Sequence, residues 1–169
     1  RIYKIINMDS FANFLYKKFK KYSSLNSLKI GDDIVSYDDL NTNALKIAAL
    51  INELRVFNET IGVVGQRNFT SYFSVLGVIY SGCNYTPISF KFSESKILSI
   101  INNCKIKILI GSKNDIDKIQ RLLIFKKNSH NIKYLIQDEN VDINNAKYLK
   151  KYSFIDQKSL IKPIKVEKN

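Results

Sequence analysis

Apolar residues along this chain fall into short runs of two kinds, and their spacing outlines the elements before any chemistry is considered. From Ser10 to Tyr22, the residues Phe11, Phe14, Leu15 and Phe19 recur at helical spacing, with Asp9 or Ser10 placed to cap the start. Two extended runs, Ser27 to Ile30 and Ile34 to Ser36, flank Gly31-Asp32-Asp33 and predict a hairpin. Ser36 and Asp39 stand three apart, close to a capping box with Asp in place of Glu. Leu40, Ala44, Ile47, Ala48, Ile51 and Leu54 then form one face, which predicts an amphipathic helix over 37–54.

From Ile61 onward the two periods alternate. Strand 61–65 leads to helix 69–81, strand 84–88, helix 94–103, strand 106–110, helix 115–127 and strand 132–136. Short strands separated by helices need crossover connections, so the expected fold is α/β: a layered sandwich with a mainly parallel sheet flanked by helices. Such crossovers are right-handed almost without exception. Beyond 137 the chain turns polar and charged, with a weak strand near Tyr152 to Ile155, and reads as an irregular connection. The organisation expected is a leader or upstream linker over 1–9, one αβ subdomain over 10–136, and a connection over 137–169. Entry at Arg1, with Met8 only later, points to a cut from a longer protein or a tag remnant.

Composition narrows the chemistry mainly by exclusion. With 45% hydrophobic and 25% charged residues the chain reads as globular, and no apolar run approaches the roughly 20 residues that cross a bilayer. Cys83 and Cys104 are the only cysteines and lack a C-x-x-C pair or His cluster, so neither zinc nor a disulfide framework is expected. Two buried thiols in a reducing cytoplasm are the simpler reading. His130 sits among Asn128, Ser129 and Asn131 with no nucleophile placed beside it by any motif.

A net charge of +12 raises the question of nucleic acid. The lysines, however, spread along the chain among many isoleucines and asparagines, a mixture that AT-rich coding would produce. The clusters Lys17, Lys18, Lys20 and Lys21, then Lys126 and Lys127, then Lys147, Lys150 and Lys151 fall at helix ends or solvent faces. Solvated faces are expected there, and nucleic-acid binding is not.

Searching for catalytic patterns returns little. The turn Gly62-Val63-Val64-Gly65-Gln66-Arg67 departs from G-x-G-x-x-G spacing, and no acidic residue ends the next strand to hold a ribose. It reads as a tight turn off a sheet edge. Neither a G-x-x-x-x-G-K phosphate loop nor a G-x-S-x-G elbow occurs. The acidic pairs Asp32/Asp33, Asp38/Asp39 and Asp115/Asp117 lie in a turn, at a helix start and in a first helical turn, where carboxylates are expected for local reasons. No catalytic, cofactor-binding or metal-binding residue is assigned.

Two stretches carry a resemblance. Val35-Ser36-Tyr37-Asp38-Asp39-Leu40 is similar to the opening motif of adenylation domains, in which Leu or Val, Thr or Ser, Tyr, any residue, an acid and Leu begin a long helix. Forty residues on, Ile79-Tyr80-Ser81-Gly82-Cys83-Asn84-Tyr85-Thr86-Pro87-Ile88-Ser89 resembles the second motif, L-K-A-G-x-A-Y-V-P-I-D or its Leu variant. Phe92 to Lys107, with Glu94, Ile97, Leu98 and Ile101 ahead of Ile106 to Ile110, resembles the helix and strand that follow. Order and spacing fit over about residues 10 to 136. Ser89 departs from the usual Asp, Asn84 from Ala, and Phe92 from a common proline, which leaves the substrate subclass open. The motifs are architectural. Gly82 is expected to close a helix with positive φ, and Pro87 to sit on an edge or bulge of the next strand.

The resemblance implies the first part of the N-terminal domain of an adenylate-forming ligase, closest to peptide-synthetase adenylation domains or D-alanine–carrier-protein ligases. It implies a parent enzyme that uses ATP and Mg²⁺ to activate an amino acid or other carboxylate and passes the acyl group to the phosphopantetheine thiol of a carrier protein. Its partners would be the rest of the adenylation domain, the carrier and the substrate, with no membrane, in the cytoplasm. The phosphate-gripping motif of the family, Y-T-S-G-S-T-G-x-P-K-G, is expected to follow a charged segment like Lys162 to Asn169, so the chain alone is expected to be inactive and to hold no cofactor. An acyl-CoA ligase fragment, a split or degenerate scaffold piece, and a basic nucleic-acid-binding module remain the alternatives.

Overall fold

A computed structural model describes residues 10–125, 130–139 and 151–156. In chain order the elements are α1 (Ser10–Lys21), β1 (Asn26–Ile30), β2 (Asp33–Ser36), α2 (Tyr37–Glu53), β3 (Thr60–Val64), α3 (Phe69–Tyr80) and β4 (Asn84–Ile88). α4 (Glu94–Asn103), β5 (Ile108–Gly111), α5 (Lys113–Phe125), β6 (Tyr134–Glu139) and β7 (Lys151–Asp156) follow. β1 and β2 pair antiparallel as the expected hairpin, turned at Gly31 with φ +60°. The main sheet runs β4-β3-β5-β6-β7. Its first four strands are parallel, as the alternation of periods requires. The weak strand read near Tyr152 pairs antiparallel with β6, bringing the chain back onto the sheet.

The interior strands β3, β5 and β6 divide their side chains between two cores, as a sheet covered on both faces must. Ile61 and Val63 of β3 with Ile108 and Ile110 of β5 pack against α2 and α3, where Ile47, Phe73 and Leu76 lie. Val64, Leu109 and Leu135 face the other way, onto Ile97 and Ile101 of α4 and Ile116, Ile119 and Leu123 of α5.

Local signals explain the boundaries. Ser36 caps α2: its hydroxyl accepts from Asp39 N–H at 3.1 Å, while the Asp39 carboxylate accepts from Ser36 N–H at 2.9 Å, the reciprocal box read in the sequence. α3 ends in a Schellman turn, with Cys83 N–H donating to Val78 O at 3.2 Å and Gly82 N–H to Ile79 O at 3.1 Å. Gly82 there takes φ +72°, the left-handed value that a residue without Cβ adopts freely. α4 ends the same way on Lys105 at φ +52°, with Ile106 N–H donating to Ile101 O. That cap spends residues 105 and 106, so β5 starts at Ile108 and not at the expected 106.

Of the α1 face expected from Phe11, Phe14, Leu15 and Phe19, only Leu15 and Phe19 turn inward. Phe11 and Phe14 of α1 are 56% and 55% exposed, and the helix packs through Ala12, Leu15, Tyr16 and Phe19 instead. Both sets repeat at helical spacing, so the period alone does not choose between them. Ring contacts do: Tyr16 stands edge-on to Tyr80 at 6.3 Å and Phe19 lies 5.0 Å from Tyr37. Asp9 as a cap, with Lys126, Lys127, Lys147 and Lys150, lies outside the described residues.

Candidate functional site

Ligands of parallel α/β sheets gather beyond the carboxyl ends of the strands, and the buried polar residues Thr70, Asp115 and Asp138 lie there. β3 leaves the sheet through Gly65-Gln66-Arg67-Asn68. It is an interior strand, so this turn is not at a sheet edge. Gly65 adopts φ +124° and donates its N–H to Ile88 O at 3.0 Å, binding the turn to the end of β4. Asn68 caps α3 by accepting from Ser71 N–H at 2.8 Å. Its amide also reaches across the fold to Asp115 Oδ2 at 3.0 Å. Asp115 accepts from the Ser112 hydroxyl at 2.6 Å and returns its own N–H to Ser112 Oγ at 3.2 Å, which caps the start of α5.

A second carboxylate does similar work at the end of β6. Asp138 accepts from Lys113 N–H at 2.7 Å and from the Thr70 hydroxyl, so it joins the N-termini of α5 and α3. Asp115 and Asp138 are 8% and 4% exposed. Sequence reasoning placed Asp115 in a first helical turn, where it is, but did not foresee its reach to Asn68. It missed Asp138, whose only signal was an acid two residues past the apolar pair Leu135-Ile136.

Beside this network, on the β4 side, lies a surface depression of about 750 Å³. Gln66, Arg67, Ser71, Tyr72, Ser89 and Lys91 line it around Gly65 and Val75. Among the described residues the lining carries two cations and no carboxylate.

The remaining sequence candidates are structural. β4 is an edge strand, so Pro87 costs the sheet no ladder bond, and Ile88 is buried while Tyr85 stands out. Tyr80, fully buried, donates to Asn41 Oδ1 at 2.7 Å; burial first and Tyr16 second raise its hydroxyl above the ordinary tyrosine pKa. His130 sits between Leu123 O and Ile132 N–H, each at 3.3 Å. Cys83 is a buried free thiol and Cys104 a half-buried one. Lys17, Lys18, Lys20 and Lys21 are exposed on α1, Lys18 lying 5.5 Å from the Phe14 ring. Among the described residues no helix is long and apolar enough to cross a membrane, and no group of three or more His, Cys, Asp or Glu side chains could hold a metal ion.

Comparison with known proteins gives this architecture relatives. The family described as "AMP-binding enzyme" matches residues 17–165. Nonribosomal peptide synthetase SIDC of Beauveria bassiana (strain ARSEF 2860) is 26% identical over 119 residues, 66% of this chain and 2% of the synthetase. Bacitracin synthase 1 of Bacillus licheniformis is 24% identical over 102 residues, 60% of this chain and 2% of the synthase. The crystal structure of the anthranilate CoA ligase AuaEII in complex with anthranoyl-AMP superposes with a TM-score of 0.67 at 12% identity, over 86% of this chain and 28% of the ligase. The chain therefore spans a small fraction of the relatives it matches, and the structural likeness speaks for the fold.

Proposed function

The chain belongs to the AMP-binding enzyme family, and on that premise we propose that it is the N-terminal part of an amino-acid-activating, adenylate-forming ligase. The parent enzyme would join a carboxylate to the α-phosphate of ATP, release pyrophosphate, and pass the acyl group from the acyl-adenylate to a carrier-protein thiol with release of AMP. The observation that carries the amino-acid reading is the match to peptide synthetases over 119 and 102 residues. The motif from Ile79 to Ser89 agrees with it by building the α3–β4 corner that positions the end of the sheet.

Catalysis in such a reaction is positioning plus charge stabilisation at the phosphates. A triphosphate needs a cradle of N–H groups, usually with glycine-rich flexibility and a lysine at hand. This chain has lysines without such a loop, and loose lysines give attraction that salt removes. Mg²⁺ would accompany ATP in the parent, held there by one or two carboxylates together with the phosphates. The 169-residue chain alone is therefore expected neither to bind Mg-ATP tightly nor to catalyse carboxylate-dependent pyrophosphate exchange. Isothermal calorimetry tests this. A micromolar dissociation constant that survives moderate salt would overturn the reading. Supplying the rest of the ligase, fused after Asn169 or as a second chain, should restore exchange with one preferred amino acid.

A second reading, transfer of the acyl group to coenzyme A, is favoured by one feature. The depression with Arg67 and Lys91 and no carboxylate could receive a phosphate-bearing thiol. Salt-resistant binding of coenzyme A that Lys91→Glu abolishes would support it, and no binding would leave the carrier-protein reading standing.

A further inference from the structure

In a parallel sheet the ligand crevice opens where neighbouring strands send their crossovers to opposite sides. Here that point lies between β3 and β5, because β3 leads through α3 to β4 while β5 leads through α5 to β6, on the other side. The crevice is already filled from within. Asp115 Oδ2 takes two donors from separate elements, the Ser112 hydroxyl at 2.6 Å and the Asn68 amide at 3.0 Å. It also lies against Gly65 so closely that a Cβ on that residue would come within 2.5 Å of it. Gly65 thus has two reasons to lack a side chain, its φ of +124° and the carboxylate above it. The start of α5 adds the positive end of a helix dipole to the same place.

We propose that the switch-point crevice is an anion cradle occupied by an internal ligand, the Asp115 carboxylate, which closes the fold's usual ligand position to outside molecules. Gly65 makes the room, Asn68 and Ser112 supply the donors, and the contact ties α3 to α5 across the sheet. An incoming anion would have to displace a tethered carboxylate that carries no binding entropy cost of its own. Polar ligands are thereby left to the neighbouring depression on the β4 side.

Chemical rescue in the 169-residue chain tests this. Asp115→Ala removes the internal anion but keeps Gly65 and both donors, while Asp115→Asn keeps the crevice filled. Sodium formate, the smallest carboxylate, is the probe, with chloride at matched ionic strength as control. Formate should raise the melting temperature of Asp115→Ala by about 3–6 °C at roughly ten times its dissociation constant. It should leave the wild type and Asp115→Asn unchanged. An equal response in all three proteins, or none in Asp115→Ala, overturns the proposal. Should Asp115→Ala fail to fold in chloride, recovery of folded protein in formate is the same readout, and failure there also overturns it.

Discussion

The two faces of the sheet are built on different terms. On the face covered by α2 and α3 the packing is close and particular: Gly77 lies where a Cβ would stand 2.7 Å from Ile47 and 2.9 Å from the Ala44 carbonyl oxygen. The fully buried Tyr80 threads a hydroxyl through the same layer to Asn41. On the face covered by α4 and α5 the core is almost wholly Ile and Leu. Gly62 points into that side and would meet the far ends of Leu109 and Ile88. Backbone and β-carbons cannot yield, whereas δ-methyls change rotamer. One face should therefore specify its partner helix by shape, and the other should tolerate exchange of volume.

The largest expected effect separates the two glycines. Gly77→Ala should lose about 3 kcal/mol or more, because the α2 backbone must move, whereas Gly62→Ala should lose only about 1 kcal/mol as side chains repack. Denaturant midpoints measure both. Equal losses would mean that the faces do not differ in the way described.

Gly82→Val sharpens the comparison by removing space from the question, since nothing lies within 4 Å of a Cβ there while φ is +72°. Backbone strain alone should cost about 1–3 kcal/mol. An unchanged melting temperature would refute the Schellman geometry at the end of α3.

Tyr80→Phe probes the buried polar thread at a cost of about 1–2 kcal/mol, because it leaves Asn41 Oδ1 without its donor. The pH dependence has a definite sign. With its pKa raised in the fold, Tyr80 stays protonated there when the unfolded chain ionises near pH 10. The unfolded state then binds fewer protons, so stability present below pH 10 is lost as pH rises above it. Lys46, whose pKa burial lowers, works in the opposite direction below its ordinary value. The difference between wild type and Tyr80→Phe isolates the tyrosine. Parallel alkaline melting curves for the two proteins would remove Tyr80 from that account.

Much of the fold was legible because its signals are local. The Ser36–Asp39 box, the glycine after α3 and the alternation of periods all act over a few residues, and each element forms within two or three residues of its expected bounds. Misreadings came where a local rule had two solutions. Aromatic residues sit on both sides of α1, so only contact with Tyr80 and Tyr37 chose the buried side. The α4 cap on Lys105 carried no glycine to announce it. At the carboxyl end of the sheet, Asn68 and Asp115 are 47 residues apart, and no period or motif joins them.

The sequence by itself determined the element order, the α/β class and the family motifs, because caps, turns and hydrophobic periods are properties of neighbouring residues. Tertiary structure alone decided the strand order β4-β3-β5-β6-β7 and the inward side of α1. It also decided the crowding at Gly77 and the closing of the switch-point crevice by Asp115. These depend on which distant side chains meet. The free energy of such contacts comes from close packing and from pairing buried polar groups, and neither is written in the spacing of a single segment.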